Sequence, residues 1–246
     1  MTKFLTTIFV FLISSAIAAS PKPLTANLGG LKNMLTDNRH FVEAHKSDYT
    51  PIAINNPQRP RSTMVTCSDS RVQTTAFDET PINDIFMIRN IGNQLSSNMG
   101  DVEYGVRHLK TPLLIVVGHD QCGAVAALSS QKKMVELNAD PNIQRSLAAL
   151  HFHFQKKNKG KYLKGDKLLQ ANIESNIDYQ VEAACLQFKS LVLEGKLYVV
   201  GALYDFLNIK KKGFGKLIIT NVNGNKDPKF IEEFEKMVLA QELPKP

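Results

Sequence analysis

The chain has 246 residues, 43% of them hydrophobic and 22% charged, with 14 glycines, 11 prolines and no tryptophan. That is the composition of a folded globular protein with a sizeable core, and it excludes a disordered, collagen-like or disulfide-dense chain. Lys and Arg outnumber Asp and Glu by 30 to 23, and the net charge of +7 is spread along the chain rather than gathered in one block, so charge alone names no ligand.

In chain order, Met1-Thr2-Lys3 is a short positive start, Phe4 to Ile17 is an apolar run relieved only by small hydroxyl residues, and Ala16-Ile17-Ala18 supplies the small residues of a cleavage site. This is the pattern of a secretory signal peptide. Ser20-Pro21-Lys22-Pro23 ends the run before the roughly 20 apolar residues that a membrane-spanning helix needs. Cleavage after Ala18 is therefore expected. It leaves residues 19–246 as a single domain, periplasmic or secreted, with no stable membrane insertion.

Leu28 to His45 reads as an amphipathic helix with Leu31, Leu35 and Val42 on one face. Thr63 to Thr66 and Asp84 to Ile88 are strand candidates, Ser97-Asn98 caps a helix to about Lys110, and Pro112 introduces the aliphatic strand Leu113 to Val117. Such an unbroken run suits a parallel sheet covered on both faces. Helices are expected at about Ala124 to Leu137, Pro141 to Phe154 and Lys167 to Leu193, and strands at Leu197 to Ala202 and Leu217 to Thr220. The alternation predicts an α/β fold: a mostly parallel central sheet of about four to five strands flanked by helices, with an extended N-terminal helix. The lysines at 156, 157, 159, 161, 164 and 167, and the run Lys210-Lys211-Lys212, read as solvated loops. Neither has the interleaved aromatics or a motif that would point to nucleic acid.

The three cysteines are Cys67, Cys122 and Cys185. In an oxidising compartment an odd count leaves at least one unpaired, and a Cys67 to Cys122 disulfide is one reading. Metal ligation is the other. Cys185 falls on the apolar stripe of Ile173, Ile177, Val181, Phe188 and Val192 at helical spacing, so it is expected to be an inert core residue.

Cys67-Ser68-Asp69-Ser70-Arg71 lies just past the first strand, and Gly118-His119-Asp120-Gln121-Cys122-Gly123 just past the strand at Leu113 to Val117. Strand carboxyl ends line the ligand crevice of an open parallel sheet. Two thiolates and an imidazole converging there suit zinc, and three protein ligands leave a fourth position open. Asp69 and Arg71 sit two apart, and a guanidinium fork can hold one carboxylate in a fixed orientation. So held, Asp69 can orient a hydroxide on the metal, or it can swing in and occupy the fourth position itself. Each residue taken alone also has a plainer role, in the core or as a loop ion pair.

These residues resemble the β-class carbonic anhydrases, whose signature of Cys-Ser-Asp-Ser-Arg followed by Gly-His-x-x-Cys-Gly is complete here. The similarity extends to Arg89-Asn90-Ile91-Gly92-Asn93 and to Gly201-Ala202-Leu203-Tyr204-Asp205. The resemblance implies one Zn2+ per chain on Cys67, His119 and Cys122, and an Asp69–Arg71 dyad. It implies a substrate slot lined by Gln58, Phe86 and Tyr104, with the Gly123 backbone N–H facing a bound anion. The reaction it implies is reversible hydration of carbon dioxide to bicarbonate and a proton through a zinc-bound hydroxide oriented by Asp69. Two anionic thiolates neutralise more of the metal charge than three neutral imidazoles would, so the bound water is expected to be less acidic and activity to rise toward alkaline pH. A homodimer or homotetramer, with the long N-terminal helix reaching across to the partner, is implied as well. Family members regulated by bicarbonate carry a Trp and a Gly just before the first zinc Cys, where this chain has Met64 and Thr66, so the unregulated type is expected. A zinc enzyme of the same fold acting on another small molecule such as carbon disulfide, and a non-catalytic zinc- or anion-binding protein, are the alternatives. The spacings do not fit a phosphatase loop or a zinc deaminase.

Overall fold

A computed structural model describes residues 29–46, 57–129, 140–158 and 164–241. The signal-peptide reading of residues 1–18 lies outside them. The chain divides into two compact units, residues 1–57 and 58–246. In the first, α1 (Gly29–Ala44) is the helix expected from Leu28 to His45, and none of its residues is buried.

The second unit holds the sheet. Its strands are β1 (Ser62–Cys67), β2 (Ile85–Asn90), β3 (Leu113–His119), β4 (Tyr198–Asp205) and β5 (Lys216–Val222), in the order β2-β1-β3-β4-β5. The first four run parallel, and β5 is antiparallel to β4. Its direction follows from the connection: residues 206–215 are fewer than the dozen or more that a parallel crossover requires. Both faces of the sheet are covered. Val65, Leu114, Val116 and Leu203 are buried with helical Ile173, Ile177 and Val181 on one side. Met64, Ile115, Val117, Val200 and Ala202 form a second cluster, which is why β3 reads as a continuous aliphatic run.

The helices are α2 (Met99–Glu103), α3 (Gly123–Leu128), α4 (Pro141–Asn158), α5 (Gly165–Gln187), α6 (Lys189–Leu193) and α7 (Pro228–Leu239). Three expectations need correction. The single helix from Ser97 to Lys110 is a 3-10 turn, then α2, then a wider π turn at Tyr104–His108. There Gly105 packs so close to β1 that a Cβ on it would lie 2.2 Å from Thr63 Oγ1. The helix from Lys167 to Leu193 breaks at Phe188, whose backbone leaves the helical region (φ −111°, ψ 27°) while its ring stays fully buried; the apolar stripe runs through the break and so conceals it. The helix α7 was not expected. Its signal is Asp227-Pro228, where the Asp227 side chain accepts hydrogen bonds from the N–H groups of Lys229 and Phe230 and proline takes the first turn. Beyond Ser129, the helix expected to Leu137 lies outside the described residues, as do lysines 159 and 161.

The helix α5 lies directly on β3 and β4 because glycine lets it. A Cβ on Gly201 would stand 2.6 Å from Ile177 Cγ2 and 2.9 Å from Val181 Cγ2, and one on Gly118 would stand 2.7 Å from Ile177 Cγ1. Gly201→Ala is expected to destabilise the protein by about 1–3 kcal/mol through overpacking, read as a lowered urea midpoint; an unchanged midpoint would show that α5 shifts freely. The same helix buries polar groups toward the loop after β2. Asn176 Nδ2 donates to Gly92 O at 2.9 Å and to Asn93 Oδ1 at 3.1 Å, and Gln180 Oε1 accepts from Leu95 N at 3.0 Å. These bonds satisfy an irregular buried loop that a strand ladder cannot.

Candidate metal centre

Since β1 and β3 are parallel neighbours with Thr66 opposite Val117, their carboxyl ends deliver Cys67 and His119 to the same place. The crevice lies where the chain order reverses, with β2 on one side of β1 and β3 on the other. A turn through Gln121, at φ 52°, brings Cys122 back beside them. All three side chains are buried, and their ligand atoms lie within 4.8 Å of one another.

The two cysteines are free, with Cys67 Sγ and Cys122 Sγ 4.0 Å apart. That is far beyond the roughly 2.05 Å of a disulfide, so the pairing considered from sequence does not form. It is close to the separation of about 3.8 Å for two sulfurs each about 2.3 Å from a tetrahedral ion. His119 Nδ1 donates to the backbone O of Asp120 at 2.7 Å, which leaves Nε2 as the acceptor. Nε2 is buried and without a hydrogen-bond partner among the described residues. An orphaned lone pair buried beside two sulfurs fits a soft or borderline cation, and the backbone carbonyl fixes the tautomer as an outer-shell partner does in metal sites.

Within the cysteine pair, the Cys67 thiol is lowered to about 4, because Cys122 donates a hydrogen bond to its sulfur and the His119 ring stands beside it. The Cys122 thiol is pushed up by the Cys67 sulfur and by burial. The two shifts oppose one another, so the pair gives up its first proton far more readily than its second. Zinc uptake by metal-free protein at pH 7.5 is therefore expected to release about one proton per ion, measurable by calorimetry in buffers of different ionisation enthalpy. Release of none would contradict the ligand set. Cys185 sits half-buried against the core, and burial raises its thiol, as expected of an unreactive residue.

Asp69 and Arg71 form the fork anticipated from their spacing. Arg71 donates from Nε to Asp69 Oδ1 at 2.9 Å, from Nη2 to Oδ2 at 2.7 Å and from its backbone N to Oδ1 at 3.0 Å. These bonds, led by the guanidinium, hold the Asp69 carboxyl well below the usual carboxylate range. Asp69 Oδ2 is 3.9 Å from His119 Nε2, so the clamped carboxylate stands beside the ligand cluster. Arg71 Nη2 also donates to Gln121 O at 3.3 Å, which joins the two loops.

Arg89, the first residue of the Arg89-Asn90-Ile91-Gly92-Asn93 segment, has a part in the site that the sequence reading left unassigned. It donates from Nε to Cys67 O at 3.1 Å, from Nη2 to Asp69 O at 2.7 Å and from Nη1 to Gln73 Oε1 at 3.2 Å, so it grips the loop on either side of the first ligand. The available signals were that segment and the place of Arg89 near the end of β2, the strand paired with β1. Two buried carboxyls lie behind His119. Asp120 is pushed up to about 6, by burial first and by Asp205 second.

The cleft residues are only partly brought together. Phe86 and Tyr104 meet with ring centroids 5.7 Å apart. Phe86 stands opposite Thr63, however, four residues and so about 13 Å along β1 from Cys67, and exposed Gln58 precedes the amino end of β1. Within one chain these three do not reach the ligands. Gly123 does, as the first residue of α3 beside Cys122, with open space where a Cβ would stand.

A mostly parallel sheet that presents two cysteines and a histidine at adjacent strand ends defines an α/β protein with a three-residue cluster able to hold a metal ion. The carbonic anhydrase family model matches residues 62–210. A carbonic anhydrase of Mycolicibacterium smegmatis is 38% identical over 79 residues, covering 32% of this chain and 38% of that protein; the match spans under half the length of that relative. The Coccomyxa β-carbonic anhydrase structure superposes with a TM-score of 0.64 at 23% identity, over 88% of this chain and 100% of that one. A tetrameric β-carbonic anhydrase of Sordaria macrospora gives a TM-score of 0.64 at 20% identity, over 77% and 96%. This chain belongs to the β-carbonic anhydrase family.

Proposed function

We propose that this chain catalyses the reversible hydration of carbon dioxide to bicarbonate and a proton, with one zinc ion held by Cys67, His119 and Cys122. The observation that carries the reading is the buried, unpartnered His119 Nε2 beside two sulfurs 4.0 Å apart, with a clamped carboxylate at its side. Zinc in such a site lowers the pKa of coordinated water from about 15.7 toward 7 and so supplies hydroxide near neutrality. The chain's own residues supply the rest. Asp69, kept ionised by Arg71, is an acceptor with a fixed direction; it takes a hydrogen bond from an O–H held at the site and aims the lone pair at carbon. Because both carboxylate oxygens are engaged by Arg71, swinging into a ligand position would break the fork, which favours the orienting role over the capping one. The Gly123 N–H, at the first position of α3 beside Cys122, is the donor assigned to product bicarbonate.

Homodimerisation belongs to the same reading. Phe86 and Tyr104 lie at the far end of β1 from the ligands, so a slot lined by them needs a second copy to bring them in. Sedimentation of the purified protein as a monomer with full activity would remove this part. Secretion is read from residues 1–18, and the mature chain is expected to begin at Ala19, as intact mass would show.

The test of function is zinc content and stopped-flow carbon dioxide hydration on one sample, before and after chelation. About one zinc per chain with chelator-sensitive hydration is expected. Zinc without hydration would turn the reading to another small substrate or to a binding protein.

A further inference from the structure

The turn after β4 carries a residue to which neither the motifs nor the family resemblance assigns a role. Phe206 is half-buried, and the Arg71 guanidinium lies over its ring, with Cζ 4.7 Å from the centroid. The same ring lies 5.8 Å from the His119 imidazole at an interplanar angle of 31°. Tyr204 meets it edge-on at 5.5 Å. The backbone beneath the ring is pinned by two buried carboxylates. Asp205 accepts from Ile209 N at 2.7 Å and from Lys210 N at 2.8 Å, and Asp120 Oδ2 accepts from Leu207 N at 3.1 Å. A ring mounted on a turn bonded in this way is a fixed wall.

We infer that Phe206 is a positioning residue: its face sets the tilt of the Arg71 guanidinium, and through it the direction in which Asp69 presents its carboxylate to the cluster of Cys67, His119 and Cys122. The fork and the stacking constrain different rotations. In-plane bonds from Nε and Nη2 keep guanidinium and carboxylate coplanar but leave the pair able to hinge as a unit, and the Arg71 side chain is 50% exposed. Contact with an aromatic face opposes that hinge, since a cation prefers the ring's negative face over its edge. Because the ring also flanks His119, the clamp and the ligand are referenced to the same rigid surface. A 1 Å error in a group that orients a reactant costs rate while leaving the residues themselves in place.

The inference rests on the proposed hydration activity, and its test separates the two. On zinc-loaded protein, Phe206→Leu is expected to keep bound zinc at the wild-type level and to lose about tenfold in kcat with little change in KM, while Phe206→Tyr, which keeps the ring face, recovers to within about twofold. In an Arg71→Ala background, Phe206→Leu is expected to add no further loss. Equal losses in both backgrounds, or failure of Phe206→Tyr to recover, would overturn the inference and make the ring a packing element. A second readout does not depend on turnover. The Arg71 Nε–H resonance is expected to be protected and shifted by the ring in wild type and Phe206→Tyr, and to exchange with solvent in Phe206→Leu; an unchanged resonance would also overturn it. Wild type that binds zinc without hydrating carbon dioxide refutes the proposed reaction alone, and the resonance still decides the role of Phe206. If Phe206→Leu does not fold, Phe206→Met takes its place in each comparison.

Discussion

Replacing Cys67 by Ser is expected to take bound zinc from about one ion per chain to under about a tenth, and hydration with it, by at least about a thousandfold. Two protein ligands remain in the variant, and the hydroxyl put in place of the thiol is not ionised near neutrality, so the charge that holds the cation is halved. Cys67 is buried at the end of a central strand, and serine is close to it in volume, so the fold is expected to survive. Metal content by mass spectrometry and a circular dichroism melt on the same sample distinguish loss of the ion from loss of the fold. Retention of stoichiometric zinc would remove Cys67 from the ligand set. The same measurement on Cys185→Ser should change neither quantity, because that thiol is far along α5 from the cluster and only half-buried.

Asp69→Asn makes the complementary cut, since it keeps the ligands and removes the charge that Arg71 grips. Asparagine has nearly the same shape, but its amide offers one acceptor oxygen where the fork needs two, and the charge-assisted part of both bonds is lost. The expected result is zinc at the wild-type level with kcat lowered by about 10²- to 10³-fold, in the range for removing a positioned acid–base group. The pH dependence carries the sign. A carboxyl whose pKa is lowered in the folded state contributes stability that is complete above its unfolded value near 3.9 and is lost as pH falls through the lower folded value. Asp69 is thus ionised throughout the neutral and mildly acid range, so the variant is expected to lower the whole pH–rate profile without moving its midpoint. A moved midpoint would mean that Asp69 itself titrates in turnover. Unchanged turnover would remove the Asp69 carboxylate from the orienting role.

The local chemistry of this site was legible because it is written in short segments. Cys67, Asp69 and Arg71 fall within five residues, and His119 and Cys122 within four, each directly after a segment that reads as a strand. Strand carboxyl ends in a parallel sheet converge, so the ligand set and the Asp69–Arg71 fork followed from adjacency along the chain and one general property of the fold. The helices α4 and α5 announced themselves through periodicity, because burial on a face repeats with the geometry of a helix, and the strands through short β-branched or aliphatic segments buried on both faces.

What was missed depends on residues far apart in sequence or on backbone that periodicity does not sense. The break at Phe188 leaves the apolar stripe intact, and the π turn at Tyr104–His108 arises from the fit of Gly105 against Thr63, which no window of sequence contains. Arg89 reaches the backbone of Cys67 and Asp69 only because β2 lies beside β1, and Phe206 meets Arg71 only because β4 lies beside β3. Which atoms can hold a cation and which carboxylate is clamped could be read from the chain alone, because those groups are covalently close. The tertiary structure alone decided what surrounds them: the wall that flanks the clamp, the arginine that grips the loop, and the distance that sets Phe86 and Tyr104 apart from the ligands. These are long-range contacts, created when strands pair in an order different from the order in which the chain is written.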